Sequence, residues 1–131
     1  MCAIDLSAAS SKVLTWSAQL AATFGAELTL VHALAGLDTR TQGYYFSPEW
    51  RKFLADEAEK EIAALQQKCG TNAALVLTMG PAAEMICEEA RKVQADLLVI
   101  GRSGDGLLGR LTSQAYSIIR QSPCPVLSVP S

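Results

Sequence analysis

The segment Asp96-Leu97-Leu98-Val99-Ile100 is almost continuously apolar, and it stops at Gly101, Gly104, Gly106 and Gly109 before an amphipathic stretch begins near Leu111. A strand that is apolar on both sides has no face to offer water, so it belongs in a parallel sheet covered on both faces. The glycines after it leave main-chain N–H groups free at a helix start. They also permit the positive φ and close backbone approach that an anion cradle requires.

The rest of the chain alternates in the same way. Met1-Cys2-Ala3-Ile4-Asp5 reads as the end of a first strand with Asp5 at its tip. It is shorter than the ~5–6 residues of an ordinary strand, so further residues upstream are expected. Ser7, Ser10 or Ser11 is expected to cap a helix with Val13, Leu14, Trp16, Leu20, Ala21 and Phe24 on its apolar stripe, ended by Gly25. Leu28 to Leu34 is the second strand, and residues 35–46 form an irregular insert carrying Tyr44-Tyr45-Phe46. The better reading of those aromatics is packing onto the following helix; the alternative is a cover for the crevice or a partner.

Ser47-Pro48-Glu49 signals a helix start through its cap, its proline in the first turn and its acid at the positive dipole end. That helix runs to about Cys69 with Phe53, Leu54, Ala58, Ile62 and Leu65 inward, and Gly70 stops it. Ala73 to Met79 is a third strand, and Gly80-Pro81 opens a helix with Ile86, Ala90 and Val93 on its core face. After the fourth strand and the glycine loop, a helix from about Leu111 to Gln121 leads through Ser122-Pro123-Cys124-Pro125 into Val126-Leu127-Ser128-Val129. Strands alternating with helices imply parallel pairing and right-handed crossovers, hence an α/β three-layer sandwich, Rossmann-like, over a single domain spanning 1–131.

Composition excludes several classes. The net charge of −2 and scattered Lys and Arg argue against a nucleic-acid binder. No apolar run approaches the ~20 residues that span a bilayer, and no signal peptide is evident, so a cytoplasmic location is expected. Cys2, Cys69, Cys87 and Cys124 lie far apart and the chain has 1 His, so no metal site is expected and the cysteines read as reduced, mostly buried thiols.

Gly104-x-Gly106-x-x-Gly109 fits the dinucleotide fingerprint but stands after the fourth strand, too late for the acid expected ~20 residues on. Gly109-Arg110-Leu111 lacks the Lys-Ser/Thr of a Walker loop. Gly101-Arg102-Ser103-Gly104-Asp105 misses the nucleophile elbow by its last residue, so His32 is expected to bond Asp5 or backbone rather than serve a hydrolase. No catalytic residues are assigned. Glu57, Glu59, Lys60 and Glu61 read as a solvated helix face.

Gly101-x-x-Gly104, the ending Arg120-Gln121-Ser122-Pro123-Cys124-Pro125-Val126-Leu127, the start Ala3-Ile4-Asp5-Leu6-Ser7 and the strand Leu30-Val31-His32-Ala33 together resemble the universal stress protein family. The likeness covers nearly the whole chain. It implies a five-stranded parallel sheet of order 3-2-1-4-5 in a small cytoplasmic homodimer of the stress response, with an unidentified protein partner in some settings. It also implies an adenine nucleotide, ATP with Mg²⁺ among the candidates, in the crevice at the C-terminal strand ends. Asp5 would meet the ribose side and Ala33 the base. Gly101, Arg102, Gly104, Thr112 and Ser113 would wrap the phosphates. Thr112 stands where the family has glycine, in a loop two residues shorter. The competing reading is a nucleotide-free interaction dimer whose glycine loop is architectural. In either case Val126, Leu127, Ser128 and Val129 would form the dimer edge, since a short apolar edge strand invites pairing.

Overall fold

A computed structural model describes residues 1–34, 47–102 and 113–131. Its elements run β1 (Cys2–Ala3), α1 (Ser10–Phe24), β2 (Thr29–Ala33), α2 (Pro48–Cys69), β3 (Ala74–Thr78), α3 (Ala82–Lys92), β4 (Leu98–Arg102), α4 (Ser113–Gln121) and β5 (Val126–Pro130). The sheet order is β3-β2-β1-β4-β5 and every pairing is parallel, as expected. The order reverses between β1 and β4, and such a switch point opens a crevice at the carboxyl ends of the strands.

Strand alternation divides the core between the two faces. Cys2, Ile4, Leu30 and Val99 pack with Val13 and Leu14 of α1 and Ile62 of α2. Val31, Leu98 and Ile100 pack on the other face with Ala83, Ile86 and Cys87 of α3 and Ala115 and Ile118 of α4. Each fully buried Leu or Ile stabilises the fold by about 1.5–3 kcal/mol relative to exposure.

The helix boundaries follow local chemistry. Ser47 caps α2 by accepting the Trp50 N–H at 3.2 Å, with Pro48 in the first turn. Gly25 and Gly70 close α1 and α2 at φ 61° and 68°, left-handed values that favour glycine. At the start of α1, however, no serine caps the helix. The cap position is Ala9, and Ser10 and Ser17 turn inward, the Ser17 hydroxyl donating to the Val13 carbonyl at 2.8 Å.

Four residues expected inside lie outside. Trp16 is 48% exposed and Phe24 76% exposed, because α1 covers the sheet with the face of Val13, Leu14 and Ser17 instead. Phe53 is exposed and stacks on Trp50 with ring centroids 5.3 Å apart. At 22 residues α2 is about 33 Å long, well beyond five-residue strands of about 17 Å, so its first turns have less sheet to cover. Val93 follows the last turn of α3 and, with Phe24, lines a cavity of about 500 Å³ at the N-terminal strand ends. That cavity is at the opposite end of the sheet from the expected crevice. Two of the four cysteines, Cys2 and Cys87, are fully buried, and Cys69 and Cys124 are half-buried.

Candidate functional site

The tip of β1 is tied down by two neighbours. The Ile4 N–H donates to the Val31 carbonyl at 2.9 Å, and His32 Nδ1 lies 2.6 Å from the Ile4 carbonyl oxygen. A carbonyl only accepts, so Nδ1 carries the proton of this bond. His32 is thus bonded to backbone, one of the two arrangements expected for it.

Asp5 follows directly. Its Oδ1 accepts the Ser7 N–H at 2.9 Å and the Ser10 hydroxyl at 3.0 Å. The first bond is an Asx turn, by which an aspartate organises the backbone two residues on. Between them Leu6 adopts φ 61°, which costs a non-glycine residue about 1–2 kcal/mol. The Asp5 bonds and the packing of Leu6 against the core hold it there. Partial burial raises the Asp5 pKa, but the bonds from Ser7 and Ser10 outweigh it and leave the carboxyl below the usual aspartate range.

β2 ends at Ala33, which pairs with Thr78 of β3, and the Leu34 N–H donates to the Thr78 carbonyl at 2.9 Å. The Thr78 hydroxyl is buried beside Ala33 without a hydrogen-bond partner among the described residues.

β4 ends at Gly101 and Arg102, which pair with Val129 and Pro130 of β5. A Cβ on Gly101 would fall 2.8 Å from Val13 Cγ2, so the absent side chain is what lets α1 dock on β4. Arg102 is exposed at the strand end, where its charge suits an anion.

Extending the pairings Cys2–Leu30 and Cys2–Val99 sets Asp5 level with Ala33 on one side and Arg102 on the other. Neighbouring strands are about 4.8 Å apart, so the three stand on one sheet edge within the span of a small ligand. The structure therefore gathers Asp5, Ala33, Gly101 and Arg102. Ser113 opens α4. Gly104, Thr112 and the Tyr44-Tyr45-Phe46 insert lie outside the described residues.

Sequence reasoning passed over Leu6 and Thr78. Asp5-x-Ser7 carries an Asx-turn signal that marks the first, whereas nothing in the sequence marks a buried hydroxyl without a partner.

Other chemistry has less to draw on. Asp5 bonds Ser7 and Ser10 rather than His32, so these two residues do not form the acid–imidazole pair of a hydrolase. Among the described residues, no cluster of His, Cys, Asp and Glu is grouped to hold a metal ion, and no helix is long and apolar enough to cross a membrane. Burial pushes the Cys2 thiol up to about 11, which leaves it protonated and inert at neutral pH.

β5 is an outer strand, paired on one side only. Val126, Ser128 and Val129 are partly or fully covered, whereas Leu127 is 37% exposed. The Ser128 hydroxyl is buried without a partner among the described residues, and Tyr116 and Ile119 of α4 are exposed.

Comparison with known proteins extends this geometry. The profile of the universal stress protein family matches residues 1–130. Universal stress protein A homolog 1 of Coxiella burnetii is 31% identical over 134 residues, covering 98% of this chain and 93% of that protein. A universal stress protein crystallised in complex with cAMP is 25% identical with a TM-score of 0.63, covering 98% of this chain and 94% of that one. The universal stress protein of Archaeoglobus fulgidus in complex with dAMP has a TM-score of 0.71 at 24% identity, covering 97% and 93%, a likeness of fold.

Proposed function

The chain belongs to the universal stress protein family, and from that premise we propose that it binds an adenine nucleotide above the C-terminal ends of β1 and β4. The observation that carries this reading is the alignment of Asp5, Ala33 and Arg102 on one edge at the switch point of the sheet. A relative of similar fold holding cAMP supports the choice of adenine.

In this reading the Ala33 backbone meets the base. The carboxylate oxygen of Asp5 that takes neither serine bond faces the ribose. Arg102, Gly101, Gly104, Thr112 and Ser113 surround the phosphates, and Mg²⁺ accompanies a triphosphate. Binding rather than turnover is the proposed activity, with Asp5 and His32 already committed to neighbours. A homodimer formed by antiparallel pairing of β5 gives the bound state a second surface through which to act. The proposed setting is the cytoplasm, which agrees with four unpaired cysteines.

One observation favours the competing reading of a nucleotide-free dimer. Gly101 is explained by its packing on Val13 without any ligand. Equilibrium dialysis with ATP and Mg²⁺ separates the two. Saturable binding by the natural chain, lost in Gly104→Val, is expected; no saturable binding by the natural chain leaves the architectural reading.

A further inference from the structure

On the opposite side of α1 from its core contacts, a groove of about 470 Å³ runs between α1 and the end of α2. Lys12, Trp16, Lys68 and the half-buried Cys69 line it. Two hydrogen bonds converge on one carbonyl of the lining. The Thr15 hydroxyl donates to the Ser11 carbonyl at 2.8 Å, and the Cys69 thiol reaches the same carbonyl at 3.7 Å.

Lys60 pairs with Glu57, and Lys92 with Glu88 and Glu89. Lys12 and Lys68 have no acidic partner among the described residues, and no carboxylate lines the groove. An indole that is 48% exposed, in one groove with two ammonium groups that have no acidic partner among the described residues, offers an aromatic surface and a positive field at once.

We propose that this groove binds small aromatic oxyanions, with the ring on Trp16 and the anionic group between Lys12 and Lys68. The site is separate from the nucleotide crevice and shares no residue with it. Both lysines are exposed, so binding weakens as salt rises.

The test uses the full chain with Trp50→Phe, which leaves Trp16 as the sole reporter because the chain has 2 Trp. Titration with phenyl phosphate is expected to change Trp16 fluorescence saturably and to slow reaction of Cys69 with a thiol reagent. Inorganic phosphate, lacking the ring, and benzyl alcohol, lacking the charge, are each expected to bind at least tenfold more weakly. Lys12→Gln with Lys68→Gln is expected to weaken phenyl phosphate at least tenfold, while Gly104→Val leaves it unchanged. A linear, unsaturable response, equal binding by benzyl alcohol, or undiminished binding by the double Gln variant overturns the proposal. Loss of binding in Gly104→Val would move phenyl phosphate to the crevice and overturn it as well.

Discussion

His32 Nδ1 sits 2.6 Å from the carbonyl oxygen of Ile4, so a buried imidazole anchors the residue that follows β1 before the chain turns at Asp5. The ring reaches the main chain of the strand whose tip carries the candidate ribose contact. Replacing it by Leu leaves a buried carbonyl unpaired, which costs about 1–3 kcal/mol. Urea unfolding of His32→Leu should show that loss, with nucleotide affinity falling as the β1 tip loosens. Unchanged stability would mean that the bond contributes nothing.

Gly101 and Val13 make a second testable pair. A methyl group on Gly101 would meet Val13 Cγ2 at 2.8 Å, a distance that forces α1 or β4 to shift. Gly101→Ala should destabilise by about 1–3 kcal/mol, as overpacking does. Val13→Ala removes the obstructing methyl, so the double variant should lose less than the sum of the single losses. Strict additivity in that double-mutant cycle would show that the two residues do not touch.

How much of this was legible in the sequence depended on which physics dominated locally. Gly25, Gly70 and Ser47-Pro48 marked their helix ends because caps are set by a few adjacent residues. Trp16, Phe24 and Phe53 fit the apolar periodicity yet lie outside, because periodicity states which residues share a face, while the sheet decides how wide a face is covered. Ser10 and Ser17 went inward against their polarity because Asp5 and the Val13 carbonyl satisfy their hydroxyls. Gly101 announced itself as a loop glycine, but its contact with Val13 depends on how α1 is laid across β4. The pattern of residues implied parallel strands; their order came from family resemblance. The candidate site was visible as Asp5, Ala33, Gly101 and Arg102, whereas the Leu6 turn and the Thr78 hydroxyl emerge only from tertiary placement.

The Asp5 carboxyl links stability to pH. Its folded pKa lies below the ordinary value of about 3.9, so the folded chain holds the proton less tightly than the unfolded chain. Its contribution is therefore complete above about pH 5 and fades as pH falls through the lower folded value. Asp5→Ala should lower stability by about 1 kcal/mol at neutral pH through loss of the hydrogen bonds to Ser7 and Ser10. Its thermal midpoint should also vary less than that of the natural chain between about pH 5 and pH 2. Parallel profiles for the two proteins would remove Asp5 from the pH response.

Leu127 tests the proposed dimer edge. It is the exposed apolar side chain of an outer strand, where a charge opposes edge-to-edge pairing. Leu127→Lys should shift the chain from dimer to monomer by light scattering while leaving its secondary structure intact. A dimer of unchanged strength would place the contact elsewhere.

Thr78 gives a prediction of the opposite sign. Its hydroxyl is buried, 7% of the residue remaining accessible, and lacks a partner among the described residues, so folding strips it of water without replacing the bond there. Valine has nearly the same shape and no hydroxyl to desolvate. Thr78→Val should therefore raise stability by about 1 kcal/mol, whereas Thr78→Ser should lower it by leaving a void beside Ala33. Chemical denaturation of the three proteins checks the order Val, Thr, Ser. If the valine variant is instead the less stable one, the hydroxyl is bonded in solution, with an internal water as the obvious partner.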